Sequence, residues 1–145
     1  MPTPFESAQL ILSLYETRRE ETMRKARDFF FTFDPRTIEE FMAGFGGPQG
    51  AYVRMVISYW DMAASFVENG AIDRQMFLDA NGEFIGVFAK VEPYLPHLRE
   101  MFQSPGYGAS LEKLTLSIPN ARARIEHTLN VYRAMLAQRA AATQA

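Results

Sequence analysis

Apolar and polar residues alternate along this chain with a helical period almost throughout. Thr3, Pro4 and Glu6 make a capping-box start with proline at the first helical position, and the pattern runs on to about Thr32. Inside it, "ETRREETMRKARD" sets Glu20 four residues before Arg24 and Glu21 four before Lys25, the spacing of helix-face ion pairs. Asp34 and Pro35 repeat the start signal for a short helix ending near Gly44. From Ala51 to Asn69 the polar residues are Arg54, Ser58, Asp61, Ser65 and Glu68, spaced four, three, four, three, and apolar residues fill nearly everything else. A helix with one narrow polar seam must be wrapped by neighbours over most of its circumference, so this segment is predicted to be the centre of a bundle. Gly70 then supplies a left-handed stop.

Beyond Gly70, Asp73 caps a short helix and "DANG" turns the chain. The stripe Phe84, Val87, Phe88, Val91, Leu95, Leu98, Met101 and Phe102 keeps its phase across Pro93 and Pro96, which predicts one kinked helix. "QSPGYGA" reads as a loop and "SLEKLTLS" as helix or coil. A last helix beginning near Pro119 carries Ile125, Leu129, Tyr132 and Leu136 on one face and fades into a frayed tail at about 138–145. The fold class that follows is all-α, a single-domain bundle of five to seven helices over residues 1–145 with its buried helix at 51–69.

One stretch needs its own explanation. "ARDFFFTF" sets Phe29, Phe30 and Phe33 on one broad face and Phe31 on another, so the end of the first helix is apolar nearly all round. Either the next short helix folds back over it, or these four phenylalanines form a patch for self-association.

Composition narrows the picture mainly by exclusion. With 145 residues, 48% of them hydrophobic and 22% charged, the chain has the make-up of a globular domain. Its 15 basic and 17 acidic side chains give no general pull toward nucleic acid or an anionic membrane. There is no cysteine, which excludes disulfides, thiolate metal sites and cysteine nucleophiles. "MPTPFESAQL" has no signal-peptide pattern, and no apolar run is long enough to span a bilayer, so the expected location is the cytoplasm.

Three segments, "LYETRREETMRKARDFFFTF", "YWDMAASFVENGAIDRQMFL" and "FAKVEPYLPHLREMF", resemble in that order a bacterial family of small helical domains of unknown function. The positions that carry the resemblance are Trp60 with Asp61, Gly70 with Asp73, Pro93 with Tyr94, and Arg99, over residues 10–115. The resemblance implies a helical fold and brings no reaction with it. Many such relatives look membrane-tethered, but here only "AQLILSLY" precedes the basic segment, too short to span.

Candidate chemistry is sparse. His97 and His127 stand in no metal-binding spacing, and "YLPHLRE" is a poor setting for a haem ligand. "GFGGPQG" lacks the strand before and the Gly-Lys-Ser/Thr after that a phosphate loop requires. Asp79, Asn81 and Glu83 hint at a calcium loop, yet Lys90 occupies the place of the final glutamate. No serine sits in a nucleophile elbow. The polar seam is the one constellation left, with Arg54, Asp61 and, from a neighbouring helix, Arg99 as candidates to hold a small anion. The function expected is a non-enzymatic interaction or regulatory module without a cofactor that self-associates, a dimer being favoured, through Phe29, Phe30, Phe31 and Phe33. The alternative is an anionic-ligand-binding bundle, with or without an enzymatic activity, built on the Arg54–Glu68 seam.

Overall fold

The computed structural model describes residues 1–144, which form an all-helical bundle. Among them nine α-helices follow one another: α1 (Pro4–Arg19), α2 (Glu21–Thr32), α3 (Ile38–Gly46), α4 (Gly50–Glu68), α5 (Arg74–Ala80), α6 (Glu83–Val91), α7 (Leu95–Met101), α8 (Ala109–Leu116) and α9 (Ala121–Gln144), with a 3-10 turn at Glu92–Tyr94 joining α6 to α7.

The seamed segment is the central element. Helix α4 packs against α2, α3, α5, α6 and α8, and Val53, Val56, Ile57, Tyr59, Trp60, Ala63, Ala64 and Val67 are all buried. Ala63 and Ala64 let neighbouring helices approach closely, while Trp60, 1% exposed, fills the volume between α4, α5 and α6 by edge contact with Phe77 and a tilted contact with Phe84.

Caps decide the boundaries. The capping box forms as read, with Glu6 N–H donating to the Thr3 hydroxyl and Thr3 N–H to the Glu6 carboxylate. Gly70 has φ +78, the left-handed conformation its position requires. Asp73 accepts from Met76 N–H at 2.9 Å and so starts α5.

The chain is divided more finely than the five to seven helices expected. The long first helix breaks at Glu20, which leaves helical geometry (ψ 142) and turns its carboxylate onto Met23 N–H as the cap of α2. Glu21–Lys25 pairs at 3.1 Å, but Glu20 is thereby withdrawn from Arg24. The short third helix starts at Thr37, whose hydroxyl caps Glu40 N–H, and not at Asp34, whose carboxylate is held by Arg36 and Arg133. Pro93 and Pro96 resolve the kinked segment into α6, a 3-10 turn and α7. "SLEKLTLS" is helical, as the core of α8. The tail stays helical through Gln144, consistent with its alanine, glutamine and arginine content.

The phenylalanine cluster packs against its own chain, Phe30 buried and Phe29, Phe31 and Phe33 half-buried. Phe29 and Phe33 stack at 6.1 Å between ring centres. Phe33 continues to Phe41 of α3 at 5.8 Å, and Phe41 to Tyr94 at 4.5 Å. Gly44 permits this, because a Cβ there would overlap the Phe33 ring. Phe31, which points the other way, meets Tyr132 of α9 at 5.5 Å and lies under the Arg139 guanidinium. Helix α3 does fold back over the aromatic end, and α9 covers part of the remaining face through Tyr132 and Arg139.

Candidate functional site

The three seam candidates are each engaged with their own chain. Arg54 donates to the carbonyl of Phe45 at 2.6 Å, closing the exposed end of α3. Asp61 accepts from Leu111 N–H at 2.9 Å and so serves as a remote cap for the first turn of α8. Arg99 donates to the Tyr107 carbonyl at 2.9 Å and pairs with Glu112 at 3.0 Å. Asp61 and Arg99 therefore converge on one stretch, residues 107–112, which they fasten down. Ser58 and Ser65 bond back to carbonyls of α4, and Glu68 pairs with Arg74 and Lys113. The seam runs along the outside of α4, with its later half covered by α8. Among the described residues no group of three or more His, Asp or Glu is placed to hold a metal ion.

The ionisable groups that are concentrated lie elsewhere, where α2 and α6 face each other. A groove of about 590 Å³ opens there, with Phe30, Phe31, Val87 and Tyr132 as its apolar floor and wall. Lys90 enters it from α6, only 4% exposed. Its ammonium donates to the carbonyls of Phe30 at 2.8 Å and Phe31 at 2.9 Å. These belong to the last turn of α2, so the lysine caps that helix from outside. It lies within 6 Å of the rings of Phe30, Phe31 and Tyr132. It makes no ion pair among the described residues, and burial pulls its pKa from 10.5 down to about 8.

Close approach of α9 completes the groove. At Gly86 a Cβ would overlap the Tyr132 ring, so only glycine lets that ring approach α6 so closely beside Lys90. Burial in turn pushes the Tyr132 phenol up. On the far rim Arg27 clasps Glu83 with three short bonds, the shortest 2.7 Å, and this pairing holds the Arg27 guanidinium above its usual range. Glu83 also takes the indole N–H of Trp60 at 3.4 Å, which ties the rim to the central helix.

Past the Arg27–Glu83 bridge lies a second groove, of about 390 Å³, between α1, α2 and the α5–α6 turn. Arg18, Arg19, Arg24, Arg27 and Glu83 are its charged lining. The Arg18 guanidinium sits 5.0 Å from the Trp60 ring centre and 5.6 Å from that of Tyr15, and donates to the Tyr59 hydroxyl at 3.1 Å. The Tyr59 hydroxyl in turn donates to the Leu14 carbonyl, and burial pushes its phenol up.

Most of these residues carry no site expectation from the sequence. Glu83 and Lys90 figure there only in a rejected calcium loop, Arg24 only as the helix-face partner of Glu20, and Arg18 and Arg27 only within a charged stretch. One signal was present: Lys90 interrupts "FIGVFAKV", a run whose every residue is buried.

No described helix is long and apolar enough to cross a membrane. No curated protein and no solved structure matches the chain. The family described as a domain of unknown function, DUF4760, matches residues 4–118, from α1 through α8, and leaves α9 outside the match. That span is most of the chain and includes both grooves except for the wall that Tyr132 supplies, so the protein belongs to the DUF4760 family.

Proposed function

We propose that this chain is a recognition module without catalysis of its own, and that it takes a small organic anion with an apolar body into the groove between α2, α6 and α9. The observation that carries this is the placement of Lys90: a buried ammonium without a carboxylate partner, at the edge of an aromatic floor. A carboxylate entering the groove would give that ammonium the counter-charge it lacks, while the ligand's body covers Phe31, Val87 and Tyr132. The two carbonyl bonds hold Lys90 as a fixed charge, which suits recognition better than nucleophilic attack.

A thermal-shift screen with aliphatic and aromatic carboxylates tests the reading. A ligand at about 100 times its Kd stabilises the folded state by about 2.7 kcal/mol, so the melting temperature of the wild type rises by several degrees. Tyr132→Ala and Lys90→Met abolish the rise, and Asp61→Asn retains it. Loss of the response in Asp61→Asn with retention in Lys90→Met would return the site to the α4 seam.

A second reading, self-association, has its support on α1 and not on the phenylalanine cluster. Phe5 and Leu12 are 70% and 62% exposed, two turns apart, with the small Ala8 between them. A second copy crossing antiparallel sets Phe5 of one chain against Leu12 of the other about a two-fold axis at Ala8. Light scattering at high micromolar concentration should give twice the monomer mass, and Leu12→Asp should halve it. A monomeric wild type removes this reading.

A further inference from the structure

The second groove carries a charge imbalance that its described residues do not resolve. Of its four arginines, Arg27 is matched by Glu83 and Arg19 by Glu16 at 3.1 Å. Among the described residues Arg18 and Arg24 have no carboxylate partner. The acids on the same helices are committed elsewhere: Glu20 to Met23 N–H and Glu21 to Lys25, while Glu21 and Asp28 line the neighbouring groove and not this one. Like charges set side by side in a cleft raise its positive potential and attract a counter-ion.

Arg18 is also held in place. An exposed arginine on a helix normally samples many rotamers, and ordering it on binding costs affinity. Here the guanidinium is stacked between Trp60 and Tyr15 and tethered to the Tyr59 hydroxyl, with Tyr59 anchored on Leu14. That ordering is done before any ligand arrives. Tyr15, half exposed, adds a ring face at the mouth. The turn opposite contributes in the same sense: Gly82 starts the nine-residue α6 with no side chain capping its N-terminus.

We propose that this groove binds a phosphate monoester of a small metabolite, with Arg18 and Arg24 taking the phosphate oxygens and Tyr15 flanking the organic part. Two unmatched guanidinium groups fit a dianion better than a single carboxylate, and a phosphate monoester carries about −1.5 to −2 at neutral pH. Guanidinium matches phosphate geometry through paired N–H donors. A groove of about 390 Å³ has room for a phosphate on a sugar-sized body. The site does not depend on the carboxylate groove, which is defined by Lys90 and Tyr132 and shares with it only the Arg24–Arg27–Glu83 rim.

The chain has one tryptophan, and Arg18 lies on its ring, so Trp60 emission reports directly on the site. The experiment titrates the full chain with inorganic phosphate and with ribose 5-phosphate, against sodium chloride at equal ionic strength. Both phosphates should give a saturable change that chloride does not. Arg18→Gln and Arg24→Gln should each weaken binding about tenfold, and Lys90→Met should leave it within about twofold. Arg24 is exposed and has no side-chain partner among the described residues, so its variant folds even if Arg18→Gln does not. Coincident phosphate and chloride curves would overturn the proposal, as would wild-type affinity in Arg24→Gln. A response to phosphatidic acid vesicles without one to either soluble phosphate would overturn it in favour of a membrane surface.

Discussion

Trp60→Ala is expected to destabilise the protein by about 3–5 kcal/mol, the range for removing a fully buried large aromatic. Trp60 is 1% exposed and touches Tyr59, Phe77 and Phe84, so its loss opens a cavity where α4, α5 and α6 meet, and no neighbour is free to fill it. Two further consequences make the effect larger than a core truncation elsewhere. Arg18 loses the ring it stacks on, and Glu83 loses a donor. Against a total stability of about 5–15 kcal/mol, the melting temperature should fall by on the order of 10 °C or more. Met62→Ala, on the same helix but with its side chain 42% exposed, should shift it by about 2 °C at most. Thermal denaturation followed by far-ultraviolet circular dichroism measures both. Equal melting points for the two variants would mean that α4 is not encircled.

The second large effect is a rise of stability with pH in a range where many proteins are level. Burial lowers the Lys90 pKa from 10.5 to about 8. Below pH 8 the lysine is protonated folded or unfolded, and the cost of burying its charge is constant. Between pH 8 and 10.5 the unfolded chain keeps the proton and the folded one sheds it, so the unfolded state binds more protons and folding gains as pH rises. Asp34 and Arg133, the charged groups facing Lys90, act in opposite directions and partly cancel. From pH 8 to 10 the gain should be about 2 kcal/mol. Above pH 10 the sign reverses, since burial holds Tyr59, Tyr94, Tyr107 and Tyr132 above their usual 10.0 and the unfolded chain loses those protons first. Urea denaturation at half-unit pH steps should show the maximum near pH 10. In Lys90→Met the rise should vanish while the later fall remains; an unchanged rise in that variant would assign it to another group.

How much of this was legible in the sequence differs between elements and site. The capping box at Thr3 and Glu6, the stop at Gly70 and the cap at Asp73 are local, because each depends on residues within a few positions. The seam of α4 was legible for a similar reason, since its spacing is that of one helix face. The break at Glu20 was not. Glu20 faced a choice between a helix-face pair with Arg24 and a cap on Met23 N–H, and both are satisfactory bonds locally. The packing of α1 on α5 and of α2 on α4, which requires the two helices to diverge, favours the cap.

The grooves were illegible in a stronger sense. Arg27 and Glu83 are 56 residues apart, and Lys90 meets the carbonyls of Phe30 and Phe31 across 60 and 59. No periodicity encodes such pairs. The seam residues looked like a site because they were the only polar ones on an apolar helix, yet their polarity is used to hold α3 and the 107–112 stretch in place.

Local pattern alone was enough for the helical class, the position of the central helix and the ends set by Thr3, Gly70 and Asp73, because hydrophobic period and capping act over three to seven residues. Tertiary structure alone decided which charges meet, which remain unmatched, and that α9 lays Tyr132 over Gly86 to wall one groove. The physical reason is range: a backbone hydrogen bond is satisfied within one turn, whereas a buried lysine or an unpaired arginine is defined by every helix packed around it.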